Sequence, residues 1–351
     1  MKTINKIFLM LALICIAAMS SFAQDKAGTT SMQFLEVMPV ARATAMGEAY
    51  AAVASGAEAI FYNPAGLAWA DHQELSLTYV NWIFDAKLYD LSYAVPVGSL
   101  GVFGLQLQYV DYGDFDEAIA YGSSYFPGQT LPYLTGRTFR PYDILAGVSY
   151  AKKLTDRFSF GLTAKYAYES LYDKDFYSVD GSGTAYSGDA NRGVMLFDAG
   201  FRYNTGYRTI QIGASAQNFG SDIKYTTTDG TYSYPAPLEL RMGICGDLIG
   251  NNALLVQSSK NRFGLAFDVF LSNDATQQEH LGVEYEFEGI FALRAGYKFN
   301  YSTEGFVCGG GVRQTIGNMR LSVDYSFGAM DRMISDYTGN VHRISLGVGI
   351  Q

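Results

Sequence analysis

Histidine is scarce in this chain, and the three present, His72, His280 and His342, have no cysteine or carboxylate at ligand spacing. No metal centre is expected. His342 and Ser345 are three apart on one predicted strand, so they fall on opposite faces and form no catalytic dyad. Gly309-Gly310-Gly311 lacks the Lys-Ser/Thr ending and the following helix of a phosphate loop, and reads better as a kink, bulge or thin place in a wall. No enzyme chemistry and no cofactor is expected. Charged residues are 17% of the chain, below the usual quarter for a soluble domain, and the net charge of −9 argues against nucleic acid as a partner. Proline is held to 8 residues. Beyond the first two dozen positions no apolar run is long enough to cross a bilayer as a helix.

Those first positions carry an export signal. Lys2 and Lys6 precede an apolar run, Ile7 to Ala18, and Ser21-Phe22-Ala23 forms a small-x-small cleavage site before Gln24. Residues 1–23 read as a signal peptide, with the mature chain starting near Gln24. Cys15 lies inside the apolar run, so two cysteines, Cys245 and Cys308, remain.

What the mature chain has in plenty is aromatic side chains, 27 Tyr and 23 Phe, together with 38 Gly. They are ordered with a period of two. Phe158, Phe160, Leu162, Ala164, Tyr166 and Tyr168 alternate with Ser159, Gly161, Thr163, Lys165, Ala167 and Glu169, a length that spans a bilayer as a tilted strand. The pattern recurs near 73–83, 87–97, 101–111, 141–152, 157–171, 193–203, 208–218, 235–247, 261–271, 278–288, 290–300, 305–316, 318–328 and 341–351. These segments predict an all-β membrane protein, a 14-stranded antiparallel transmembrane barrel over 73–351, in an outer-membrane bilayer. Gap lengths agree: alternate gaps are long, notably 112–140, 172–192 and 219–234, while the others are short except 248–260. Long gaps are external loops and short ones periplasmic turns. By phase, Glu239, Arg241, Glu284, Glu286, Arg294, Lys298, Arg313, Arg320 and Asp324 face the lumen. They suit a polar pore or, the favoured reading, a network compensated internally and by the segment before the barrel.

That segment, 24–72, is unlike the rest. From Pro39 to Ala70 it is crowded with Ala and Gly and carries few charges, chiefly Arg42, Glu48 and Glu58. Small residues suit a plug, or hatch, packed closely in a narrow lumen. Arg42 is expected to meet a luminal carboxylate, since an isolated buried cation is costly. The external gaps hold Tyr112, Phe115, Tyr121, Tyr125, Phe126, Tyr133, Tyr172, Phe176 and Tyr177. These aromatics contact a partner, or else the loops fold onto one another.

The hatch carries Ala41-Arg42-Ala43-x-Ala45-Met46-Gly47, then Ala49-Tyr50, then Tyr62-Asn63-Pro64-Ala65-Gly66-Leu67-Ala68. In order and spacing this resembles the N-terminal signature of the PorV/PorQ outer-membrane family, part of the wider FadL/TodX-like group of fourteen-stranded barrels. Glu48 stands where the family often has a second glycine, and the chain ends in Gln351 rather than an aromatic. The PorV-like branch implies a component of the type IX secretion pathway that receives exported proteins with a C-terminal sorting domain at a translocon and carries them to surface attachment. The FadL/TodX-like branch implies uptake of hydrophobic small molecules, such as long-chain fatty acids, through a pocket, a movable hatch and an opening in the wall.

Overall fold

The computed structural model describes residues 28–119, 133–172, 176–179, 185–228, 230–301 and 303–350. Fifteen strands pair in one sheet, and with the two-residue strand Val256–Gln257 set aside, fourteen close into a barrel. In chain order they are β1 Gln73–Asn81, β2 Lys87–Pro96, β3 Val102–Asp111, β4 Tyr142–Lys153, β5 Phe158–Ser170, β6 Asn191–Asn204 and β7 Gln211–Gly220. There follow β8 Glu239–Gly250, β9 Asn261–Ser272, β10 Gln278–Phe287, β11 Phe291–Phe299, β12 Glu304–Ile316, β13 Met319–Met330 and β14 Val341–Ile350. Each pairs antiparallel with its neighbours in sequence, and β1 closes on β14 with Leu77 opposite Leu346. Closure leaves no free edge, the condition for strands to sit in hydrocarbon.

The period of two holds in three dimensions. On β3, Phe103, Leu105, Leu107 and Tyr109 face outward and are exposed, while Gln106 and Gln108 face inward and are buried. The outward aromatics form ladders, such as Tyr79–Tyr89 at 5.5 Å between centroids and Tyr89–Tyr109 at 6.4 Å. Short turns join the strands at one end and long loops at the other. The long 251–260 turn is folded against the wall, with Val256 and Gln257 pairing to Ile249 and Gly250.

At the loop end the chain adds structure of its own. Phe115–Ile119 and Tyr133–Phe139 form a hairpin, and Phe176–Val179, Ala185–Gly188, Ile223–Thr227 and Gly230–Tyr234 form a small sheet shared between two loops. A helix, Arg332–Thr338, is N-capped by Asp331, whose side chain accepts from the Met333 amide.

The segment before β1 runs through the barrel from the loop end to the turn end. Its start is tied to the loops: the Ser31 amide donates to the Pro235 carbonyl, and the Thr30 hydroxyl donates to Asp274 at 2.6 Å. A 3-10 turn, Gln33–Glu36, leads to the short helix α1, Ala41–Ala45, then to 3-10 turns at Ala57–Phe61 and Pro64–Trp69. We call residues 28–37 the strap and 38–72 the hatch.

Candidate functional site

The hatch is held by the wall it touches, and glycine makes the contact possible. A Cβ on Gly296 of β11 would lie 2.1 Å from the Gly47 nitrogen, and one on Gly282 of β10 2.3 Å from the Met46 carbonyl oxygen. Gly161 meets Pro64, Gly200 meets Asn63, Gly213 meets Ala51 and Gly309 meets Ala45 in the same way. Wall glycines spread over six strands thus form a seat for the hatch's small residues. Gly309 and Gly311 face the lumen, so the triple glycine is a thin place in the wall.

The signature residues of the hatch divide the work. Ala41, Ala43, Met46, Tyr62, Ala65 and Leu67 are buried packing. Gly47 turns the chain at φ 64°, with Glu48 following at φ 62°. Asn63 is a clasp: its carbonyl accepts from the Ala65 amide at 3.1 Å and its amide donates to the Ala51 and Phe201 carbonyls at 2.8 and 2.9 Å. Pro64 starts the next 3-10 turn, and Gly66 abuts the Ala54 carbonyl too closely for a side chain. From the wall, Asp268 accepts the Tyr50 and Ala51 amides at 2.8 and 2.7 Å.

The luminal charges form the compensated network. Arg42 of the hatch makes a two-point contact with Glu284, at 2.9 and 2.8 Å. Glu284 is shared with Arg262 and with Arg294, whose guanidinium also holds Asp324 at 2.6 Å. Lys298 lies 2.6 Å from Glu48 and 2.7 Å from Glu304, and Arg241 joins Glu48 at 3.5 Å to Glu239 at 3.2 Å. Burial would raise the Glu48 carboxyl, but Lys298 and Arg241 outweigh it and hold it at about 2. Glu286 binds Arg262 at 2.9 Å and reaches Arg313 at 3.5 Å. Arg320 points into the short-turn mouth and makes no ion pair among the described residues.

An apolar cluster lies in the loop half of the lumen, among buried polar side chains such as Asp90, Asp143 and Glu169. Met32, Phe34, Leu35 and Val37 of the strap pack there against Val80, Leu88, Val110, Leu145 and Leu196 of the wall. Between strap and hatch a cavity of about 20 Å³ remains. At the turn end, cavities of about 230 and 220 Å³ lie on either side of Arg42. The strap is anchored through Glu36, which with Asp274 brackets the Ser272 hydroxyl. Burial, then the nearby Glu239 and Asp274 carboxylates, push Glu36 up to about 8.

The loop aromatics do not form one exposed set. Tyr112 is half-buried against the apolar loop-end core, and its hydroxyl donates to Asp143 at 2.6 Å. Phe115 is exposed but rests on Phe139, which meets Tyr172 edge-on at 5.0 Å, and the Tyr172 hydroxyl bonds Glu117. Here the loops fold onto one another. Tyr133, Phe176 and Tyr177 lie in loop strands, whereas Tyr121, Tyr125 and Phe126 lie outside the described residues. Sequence reasoning passed over Phe84, Met333 and Tyr337, which are strongly exposed on adjoining loops at 69%, 81% and 86%.

A hatch-filled, fourteen-stranded wall defines the class: an outer-membrane β-barrel of the TodX-like fold. The toluene transporter TodX of Pseudomonas putida superposes with a TM-score of 0.54 at 15% identity, over 90% of this chain and 97% of TodX. The monoaromatic hydrocarbon channel CymD gives 0.54 at 13% identity, over 91% and 98%. No curated protein matches the chain. The family described as Type IX secretion system protein PorV matches residues 20–269, and the chain belongs to that family.

Proposed function

We propose that this barrel is an interaction component of type IX secretion, one that binds an exported protein or a secretion translocon through its long loops while the hatch keeps the lumen shut. The observation that carries this reading is the strap. Met32, Phe34, Leu35 and Val37 fill the apolar cluster in the loop half of the lumen, and the cavity between strap and hatch is about 20 Å³, less than one hydrophobic cargo molecule needs. Family membership supports the same reading. The likeness to TodX and CymD supports a second: in a strap-out state the wall side of the apolar cluster would admit a hydrophobic small molecule.

Affinity isolation of the tagged protein in mild detergent separates the two. The first reading expects exported proteins sharing a C-terminal domain, or a very large barrel, in the eluate. Recovery of fatty acid or hydrocarbon with no such proteins would overturn it in favour of the second. Export through cleavage after Ala23 is checked by sequencing the mature N-terminus.

A further inference from the structure

The ion network that compensates the lumen runs out at the short-turn mouth. Arg313 and Thr315 of β12 and Arg320 and Ser322 of β13 are all inward-facing, and they are cross-strand partners: Arg313 opposite Ser322, Thr315 opposite Arg320. Arg313 and Arg320 both line the cavity of about 230 Å³ beneath the hatch, and both line a second of about 320 Å³ beside the β10–β11 turn. Ser322 lines the cavity beneath the hatch and Thr315 the one beside the turn. The two arginines, common to both, stand on the ridge between them.

The carboxylates of this mouth are engaged elsewhere. Asp324 is held by Arg294 at 2.6 Å, Glu288 by Lys260 at 2.9 Å, and Glu74 accepts the Ala57 amide at 3.0 Å. Glu286 reaches Arg313 only at 3.5 Å and gives its shorter contact, 2.9 Å, to Arg262. Glu58 accepts from the Ser76 hydroxyl at 2.9 Å, and Asp71, exposed at the end of the hatch, lines the same cavity without an ion pair among the described residues. Like charges on adjacent strands repel, and a guanidinium offers a planar fork of donors suited to an oxyanion.

We propose that Arg313 and Arg320, with Ser322 beside them in the cavity beneath the hatch, form a binding site for a phosphate group at the periplasmic mouth. The guanidiniums supply charge and paired N–H donors, and the Ser322 hydroxyl supplies a further donor. The phosphate belongs either to a soluble phosphate monoester or to the headgroup of an inner-leaflet phospholipid, since Phe291, Ile316 and Met319 present apolar side chains to lipid at the same level. The site is independent of the role of the loops.

The test uses the full mature barrel in detergent. Inorganic phosphate, titrated at constant ionic strength against chloride, should raise the unfolding midpoint saturably. Arg320→Gln, which removes no ion pair, should weaken the apparent affinity at least tenfold, and Arg313→Gln/Arg320→Gln should abolish it. Heat-modifiable gel mobility confirms that each variant is folded. In a parallel arm, native mass spectrometry after exposure to phosphatidylglycerol or phosphatidylcholine vesicles reads lipid retention. Retention of phosphatidylglycerol by the wild type but not by the double variant, without a response to free phosphate, assigns the site to a headgroup. No response in either arm, or responses that Arg320→Gln leaves unchanged, overturns the proposal.

Discussion

Glu48 holds a left-handed backbone, φ 62°, that side chains other than glycine seldom adopt, and it is buried. Two cations offset that cost. Lys298→Met leaves Glu48 and Glu304 without their ammonium group, and removing one partner of a buried pair costs about 3 kcal/mol, roughly a hundredfold in hatch opening. Limited proteolysis of the folded barrel should show it as faster cleavage within the hatch. Glu48→Gly should be milder, because it relieves the backbone and leaves Lys298 on Glu304 and Arg241 on Glu239. Glu48 and Glu36 respond to pH in opposite senses. Glu48 is held at about 2, so its contribution is present above the ordinary carboxylate range and fades as pH falls towards 2. Glu36 is pushed up to about 8, so its contribution is complete below the ordinary range and is lost as pH rises towards 8. Protection factors of the amides of residues 30–37, corrected for the intrinsic rise of exchange with pH, should therefore be lower at pH 9 than at pH 6 in the wild type. Glu36→Gln should flatten that difference. An unchanged pH dependence in the variant would assign the effect to another group.

The hatch and the loops are the elements that give this barrel its character. At Gly47 a Cβ would lie 2.9 Å from the Tyr297 nitrogen and 3.0 Å from the Leu281 carbonyl oxygen, and the φ of 64° adds strain for any side chain. Gly47→Leu should expose the hatch to protease while heat-modifiable mobility still reports a closed wall. Protection equal to wild type would contradict the packing described. Sequence spacing located this motif but not its seat, because a glycine on a strand reads alike whether it faces the hatch or open lumen. The loops follow length parity. Protease added to intact cells should cut within 112–141 or 171–190 and spare the turns at 154–157 and 205–210. Cleavage at the turns with the loops intact would invert the topology. Tyr112 shows why loop composition alone misplaces contacts: its ring continues the inward phase of β3 past the last strand residue and ends under the loops.

Across the whole molecule, strand order makes long-range predictions. Cys245 on β8 faces the lumen near the hatch cluster, whereas Cys308 on β12 faces lipid beside Phe306. Four strand steps at about 4.8 Å each exceed the reach of a disulfide, roughly 7 Å between Cα atoms. Both thiols should alkylate without reductant in the unfolded protein, and a linked peptide pair in non-reducing mass spectrometry would break the strand order. That order, the fourteen strands and the facing of Glu284 or Arg294 were all legible in the chain, because a period of two and the parity of gap lengths are local properties that a bilayer imposes on every strand alike. The partner that Arg42 takes, the glycines that seat Ala51 and Pro64, the strap that fills the apolar cluster of the lumen and the meeting of Arg313 and Arg320 at the mouth were decided by the closed barrel. Each depends on which residues of distant strands meet at one depth, and that is fixed by stagger and closure, which no local pattern records.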